Sequence, residues 1–408
     1  MPIDPLLHRP AAAPGHVLPL LVLAQLLGTT PWFALNAVMP DLQRELGWSG
    51  AAVGTLTAAL QGGFIVGTLV FALLTVADRW PARRVFVFCA LATALCTLMA
   101  MAQVHSMAAL VGWRALTGFF LAGIYPVGMK IASQWFPQGL GSALGWLVGA
   151  LVLGSASPHA LRALSVGWPW QAVFVGVAAA SVGAAGLLAW ALPDAPQRGA
   201  ALPLRLSALS SLWRDPPVRA SVLGYFGHMW ELYTLWVLVP VVLATRLSGS
   251  AAVSAWAFAV LAVGALGCVL GGRAALRWGS APVAWSQLAL SAGCCLLAPW
   301  MLNAPLPLFL AWLLLWGVTA AGDSPQLSAL TASNAPKEAV GSVLTLSNCL
   351  GFAISVLSIE IFVRLSQTLP LAQLLPWLAL GPVLGLLALR PLLKPTHKPA
   401  DEPTNKPV

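Results

Sequence analysis

The chain has 408 residues, of which 59% are hydrophobic and 8% charged, with a formal net charge of +9. A soluble domain carries about 25% charged residues, so a chain this long and this poor in charge has no means of clothing a core in water, and it reads as a membrane protein. Its six cysteines all sit inside apolar runs without metal-ligand spacing and read as packing residues, so neither a disulfide framework nor a metal centre is expected.

A membrane-crossing helix needs about 20 apolar residues. Runs of that kind lie at 17–39, 50–76, 84–103, 107–132, 139–163, 168–192, 219–245, 250–276, 280–302, 306–332, 339–364 and 370–393, twelve in all. The segment before them, 1–16, is polar and Pro-rich, and no cleavable signal peptide is expected because the first apolar run is too long. With both termini cytoplasmic, sixteen Lys and Arg fall inside (among them Arg79, Arg83, Arg84, Arg198, Arg273, Arg277 and Arg390) and four fall outside (Arg44, Arg162, Arg246, Arg364), as the positive-inside rule requires. The basic charge is therefore topological, and nucleic acid is not an expected partner. Trp80, Trp135, Trp168, Trp190, Trp278 and Trp300 stand at segment ends, where interfacial indoles belong.

The first segment carries Gln25, Gly28, Trp32 and Asn36 at spacings of three and four, beside Pro31. That stripe either lines a cavity or packs against a neighbour. Gln61 is an isolated polar group on the second segment and reads as structural. The fourth segment holds Arg114 near its start and Tyr125 eleven residues on, which at 100° per residue is the same helix face. A guanidinium in a watery cavity suits a carboxylate or oxyanion, and it equally suits pairing with a carboxylate such as Glu231. Lys130 near the cytoplasmic end is read as snorkelling to the interface. The stretch 193–218 is the longest connection and reads as a linker between a bundle at 17–192 and another at 219–393.

The seventh segment has Tyr225, His228, Glu231 and Tyr233 near mid-span. His228 and Glu231 are three apart and can share a face, as a proton carrier or as a hydrogen-bonded pair pinning the helix. The tenth segment carries Asp323-Ser324-Pro325-Gln326 below Trp312 and Trp316. Pro325 frees a carbonyl and invites a local break, so Asp323 and Gln326 either form an ion or substrate site or satisfy the groups the proline exposes. His159, Asn348 and Glu360 read as structural, and the tail 394–408 as polar and disordered.

Short matches recur at a nearly constant offset. Ala77-Asp78-Arg79-Trp80-Pro81 faces Ala275-Leu276-Arg277-Trp278-Gly279, Ala122-Gly123-x-x-Pro126 faces Ala321-Gly322-x-x-Pro325, Gly141-Ser142-x-Leu144 faces Gly341-Ser342-x-Leu344, and Pro40 faces Pro240. Collinear matches of this kind point to two parallel six-helix repeats, a transporter architecture with its site at the midplane.

Asp78-Arg79-Trp80-Pro81-Ala82-Arg83-Arg84 resembles the cytoplasmic loop motif of the major facilitator superfamily, and Arg114-x-x-x-Gly118 resembles its fourth-helix motif. Leu74 and Pro81 stand where the loop motif has glycines; Gly272 and Gly279 keep those glycines in the second half, where Leu276 replaces the acid. Gly149 to Pro158 only partly resembles the antiporter motif of the fifth helix. The resemblance covers the whole chain. It implies an all-α membrane fold of twelve helices in two pseudo-symmetric bundles, a monomer, and a cavity lined by the first, fourth, seventh and tenth helices, where the polar residues above are concentrated. It also implies that Asp78, Arg79, Arg83 and Arg277 gate the conformational change, with Asp78 meeting the start of the eleventh helix, whose dipole favours a negative charge.

The sequence thus leads to a secondary transporter of the inner membrane, working by alternating access with protons, for a small organic or inorganic anion. Arg114, Tyr125, Trp32, Asn36, Gln326 and Tyr233 are the expected substrate ligands, and His228, Glu231 and Asp323 the proton-coupling set. The alternatives are a proton-driven exporter of amphiphilic cations or drugs and a non-transporting receptor. No nucleoside-triphosphate loop and no nucleophile–base motif occurs in the sequence, so no cofactor and no enzymatic activity are expected.

Overall fold

The computed structural model describes residues 14–136, 140–165, 167–194 and 204–393. Most of segment 1–16, part of the linker, the tail 394–408 and the orientation markers Arg9, Arg198, Lys394, Lys398 and Lys406 lie outside the described residues.

Among the described residues, twelve helices are long and apolar enough to cross a membrane: span 1 Val17–Leu46, span 2 Ala52–Leu73, span 3 Ala82–Ala102, span 4 Met107–Trp135, span 5 Ser142–Leu164, span 6 Gln171–Ala191, span 7 Pro216–Ala244, span 8 Ser250–Trp278, span 9 Ser280–Met301, span 10 Leu306–Asn334, span 11 Val340–Leu365 and span 12 Leu371–Leu393. Span 1 outruns its apolar stretch by two turns. Its polar end stays helical because Asp41, 6% exposed, accepts from Arg162 of span 5 at 2.7 and 2.9 Å. Hydropathy marks where lipid ends, while helix hydrogen bonding continues past that point.

Glycine sets how closely the helices approach. A Cβ on Gly118 of span 4 would lie 1.8 Å from the Leu60 carbonyl of span 2, and one on Gly317 of span 10 would lie 2.0 Å from the Val260 carbonyl of span 8. A Cβ on Gly67 would lie 2.4 Å from the Phe119 carbonyl, and one on Gly267 would lie 2.1 Å from that of Val318. The paired positions differ by 199 or 200 residues, the offset of the sequence matches. The duplication is therefore written in backbone contacts: small residues let membrane helices touch, and dispersion then holds them.

Five spans are interrupted, span 12 by a 3₁₀ turn at Leu375–Ala379. Span 1 passes through a 3₁₀ turn at Thr30–Phe33, span 4 breaks between Leu121 and Tyr125, span 8 at Val263 and span 10 at Asp323. The breaks in spans 4 and 10 precede Pro126 and Pro325, the repeated Gly-x-x-Pro positions. Span 7 stays continuous through Pro240. The halves meet where span 2 packs on span 11 and span 5 on span 8.

Candidate functional site

A cavity of about 1080 Å³ lies between the halves. Its mouth, on the face bearing Arg79, Arg83, Arg273 and Arg277 (the basic face), is lined by Asp78, Lys130, Arg273, Lys337 and Glu338. Deeper, the wall consists of Tyr125, Tyr225, His228, Gln326 and Asn348, and the floor of Tyr233, Trp236 and Phe352.

The floor is one side of an aromatic closure between the halves. Trp32 stacks on Tyr233 with ring centroids 5.8 Å apart and contacts Phe352 at 5.7 Å; Phe64 meets Phe352 at 4.8 Å and Phe33 meets Trp236 at 5.7 Å. These separations lie in the attractive range for ring pairs. Beyond the rings, Gly54 packs on Val363, and Gly50 lies so close to the Gln367 amide that a Cβ would stand 2.3 Å from its oxygen. The cavity is open to the basic face and shut toward the opposite one.

Of the expected ligands, Tyr125, Gln326 and Tyr233 line this cavity together with His228, and Trp32 lies beneath the floor. Arg114 is elsewhere. It is 2% exposed, and its guanidinium donates to the carbonyls of Pro31 at 3.0 Å and Trp32 at 2.8 Å. The 3₁₀ turn at Thr30–Phe33 presents these two carbonyls to span 4, and Arg114 donates to both, joining the Ala34 N–H on the Pro31 oxygen. The helical-wheel argument joining Arg114 to Tyr125 fails because the break after Leu121 lies between them and resets the phase. Asn36 also faces away from the cavity and donates to Thr57 Oγ1 at 3.0 Å, strutting span 1 to span 2.

The proton-coupling set is divided too. His228 does not pair with Glu231; its Nδ1 lies 2.8 Å from Asp323 Oδ1 across the break of span 10, with both side chains buried. Glu231 turns into the second bundle, where its Oε1 accepts from Ser291 at 2.5 Å, Trp316 at 2.5 Å and Cys295 at 3.2 Å. Three residues along span 7 are enough to present the two groups to different neighbours, and the sequence does not say which carboxylate reaches the imidazole.

On the basic face Asp78 pairs with Lys130 of its own half, which replaces the expected contact with span 11 in this conformation and the expected snorkelling of Lys130. Arg83 bonds Asp194 at 3.0 Å and the carbonyls of Ala189 and Leu192, tying the loop to the end of span 6. Arg79 and Arg277 are exposed, and the Arg277 guanidinium lies 5.5 Å from the Trp278 ring centre. Asn348, read from the sequence as structural, lines the cavity and accepts from the Tyr225 hydroxyl at 2.8 Å, and Phe33, Phe64 and Phe352 escape sequence reasoning, since an aromatic at mid-span carries no mark separating gate from packing.

Residues 21–359 match the family described as Major Facilitator Superfamily. The chain is 29% identical over 243 residues to a chloramphenicol resistance protein of Streptomyces lividans, a match covering 56% of this chain and 59% of that protein's length. Among solved structures, a bacterial homolog of the human lysosomal transporter Spinster, inward-facing and unoccupied, superposes with a TM-score of 0.73 at 17% identity, covering 94% of this chain and 98% of that one. The nucleoside transporter NupG superposes with a TM-score of 0.72 at 15% identity, covering 93% of this chain and 100% of that one. At such identities the likeness concerns the fold, and it agrees with the family match over most of the chain: this protein belongs to the major facilitator superfamily of secondary transporters.

Proposed function

We propose that this transporter exports small amphiphilic aromatic compounds from the basic-face side, taken as cytoplasmic, in exchange for protons. The observation that carries this reading is the distribution of charge in the cavity. Asp78, Lys130, Arg273, Lys337 and Glu338 stand at the mouth, whereas the deep wall offers the rings of Tyr233, Trp236 and Phe352, the hydrogen-bonding groups of Tyr125, Gln326 and Asn348, and the imidazole of His228, which is paired with Asp323. Such a wall suits a ligand with an aromatic body and a few polar groups. The anion reading rested on Arg114, whose donors are engaged by span 1. The relative bearing chloramphenicol in its name supports a neutral aromatic amide as the kind of cargo.

The His228–Asp323 pair supplies a coupling element beside the cargo. Gain or loss of one proton changes the pair's net charge by one unit in a buried place. A change of that kind biases the two conformations only so far as they solvate the pair differently. Glu231, held by three donors away from the cavity, serves as support for spans 7, 9 and 10 in this account.

The test is a thermal-shift series on the purified protein with chloramphenicol, tetraphenylphosphonium and benzoate. Stabilisation by chloramphenicol, with less by the cation and none by the carboxylate, is the expected order. Stabilisation by benzoate alone would return the anion reading.

A further inference from the structure

The two seams between the halves are not alike. Along the seam of spans 2 and 11, contact runs deep: Gly54 packs on Val363, Cys349 Sγ lies 4.0 Å from the Ile65 carbonyl, and Leu69 packs on the buried cluster of Val343 and Leu346, which the linker residue Leu212 also joins. Along the seam of spans 5 and 8, contact stops halfway. A Cβ on Gly149 would stand 3.9 Å from that of Ala265, and one on Gly264 would stand 3.4 Å from Val152.

Positions three and four apart share a helix face. Trp146 and Ser142 therefore continue the Gly149 stripe toward the basic face, and Gly272 and Leu276 continue the Ala265 stripe. There the helices have parted: Gly145 and Gly272 have nothing within 4 Å where a Cβ would be. Trp146 is 49% exposed and Leu276 is 90% exposed, yet both line the cavity. The eleven helical steps from Ala265 to Leu276 span about 16 Å, roughly half of a hydrocarbon core about 30 Å thick. The outer faces of these spans belong to lipid, as the exposed Leu266 and Leu270 indicate. The slot therefore joins the cavity to the leaflet at the basic face, with an indole at its edge and Arg273 near its interfacial end, where the polar head of an amphiphile would stay.

We infer that the slot between spans 5 and 8 is a side port through which amphiphilic cargo dissolved in that leaflet reaches the cavity. This rests on the substrate reading above. Apolar rings or chains pass between glycine walls without crossing water, and polar groups follow the charged rim.

The experiment has two arms in proteoliposomes. First, bimane is attached to Gly272→Cys at the port or to Thr345→Cys, which lines the cavity at the closed seam, and brominated phospholipids are the quencher. Quenching about threefold greater at 272 is expected, because only that seam admits lipid; equal quenching overturns the port. Second, Gly145→Trp fills the slot. Flux of a rhodamine dye that partitions strongly into lipid should fall about tenfold, while flux of chloramphenicol, which partitions far less and reaches the cavity from water through its mouth, stays within about twofold, as for a blocked gate serving one route. If the wild type carries both probes and Gly145→Trp slows both or neither, the port alone is overturned. If the wild type binds neither probe, the substrate reading falls and the port's role in cargo access falls with it.

Discussion

Arg114 Nη2 lies 2.8 Å from the carbonyl oxygen of Trp32, and through this bond a buried cation holds the ring that closes the cavity. A charge at this depth costs roughly 2.5–3.5 kcal/mol to insert. Hydrogen bonds to two carbonyls of the turn at Pro31 offset part of that cost, and the result is a fixed bend carrying Trp32 and Phe33 into the closure.

Replacing Arg114 by Lys keeps the charge and gives up the two-pronged reach. The expected loss is about 2 kcal/mol, the scale of one hydrogen bond to a charged group, read as a lower thermal midpoint. Because the bend carries the rings, a cysteine introduced at Phe33 should also become more reactive toward a thiol reagent supplied from the opposite face. An unchanged midpoint together with loss of carboxylate binding would restore Arg114 as a ligand.

Trp32→Ala removes a side chain that contacts Phe64, Tyr233 and Phe352. Truncation of a buried Trp costs about 3–5 kcal/mol, here taken largely from the closed state of the opposite face. Single-molecule distances across that face should shift toward an open population. A variant with the wild-type distribution would show that Gly54–Val363 and Gly50–Gln367 close the face unaided.

Gly118→Val and Gly317→Val probe the repeated close approaches. Each puts a Cβ about as far into a backbone carbonyl as the other, 1.8 and 2.0 Å. Overpacking costs about 1–3 kcal/mol, sometimes more, so both variants should lose folded yield to a similar degree, measured by fluorescence-detected size exclusion. Tolerance of one but not the other would break the structural equivalence of the two halves.

Much of this architecture is legible in the sequence. Helix number follows from apolar runs, because lipid imposes both length and internal hydrogen bonding on every crossing. The breaks at Tyr125-Pro126 and Ser324-Pro325 follow from proline, and the offset of about 200 reappears in the glycine contacts. The site is less legible. Arg114 is chemically right for an anion, yet a 3₁₀ turn one span away takes its donors. His228 had two carboxylates in reach, Glu231 and Asp323, and only the rotation of span 7 against span 10 decides between them. The closure is invisible for a different reason: Phe64 and Phe352 look like any apolar residue until the two halves are placed together.

On the proposed reading Glu231 supports the second bundle and Asp323 couples protons, and substitutions distinguish the two. Glu231→Gln keeps an acceptor oxygen for Ser291 and Trp316, so the fold and most transport should survive, with rates within about threefold, less than the tenfold that 1.4 kcal/mol represents. A tenfold or greater loss of proton-driven flux in Glu231→Gln, at unchanged thermal midpoint, would place Glu231 back in the coupling path.

The central claim is that an amphiphilic aromatic cargo leaves through this cavity against protons exchanged at His228–Asp323. Its most direct test is transport of a neutral aromatic probe in proteoliposomes, with and without an imposed pH gradient, for the wild type and Asp323→Asn. The account predicts that the gradient accelerates wild-type flux about tenfold or more, the effect of roughly 1.4 kcal/mol of driving force, and that Asp323→Asn moves the probe at one slow rate regardless of the gradient. Equal acceleration of both proteins by the gradient would contradict it.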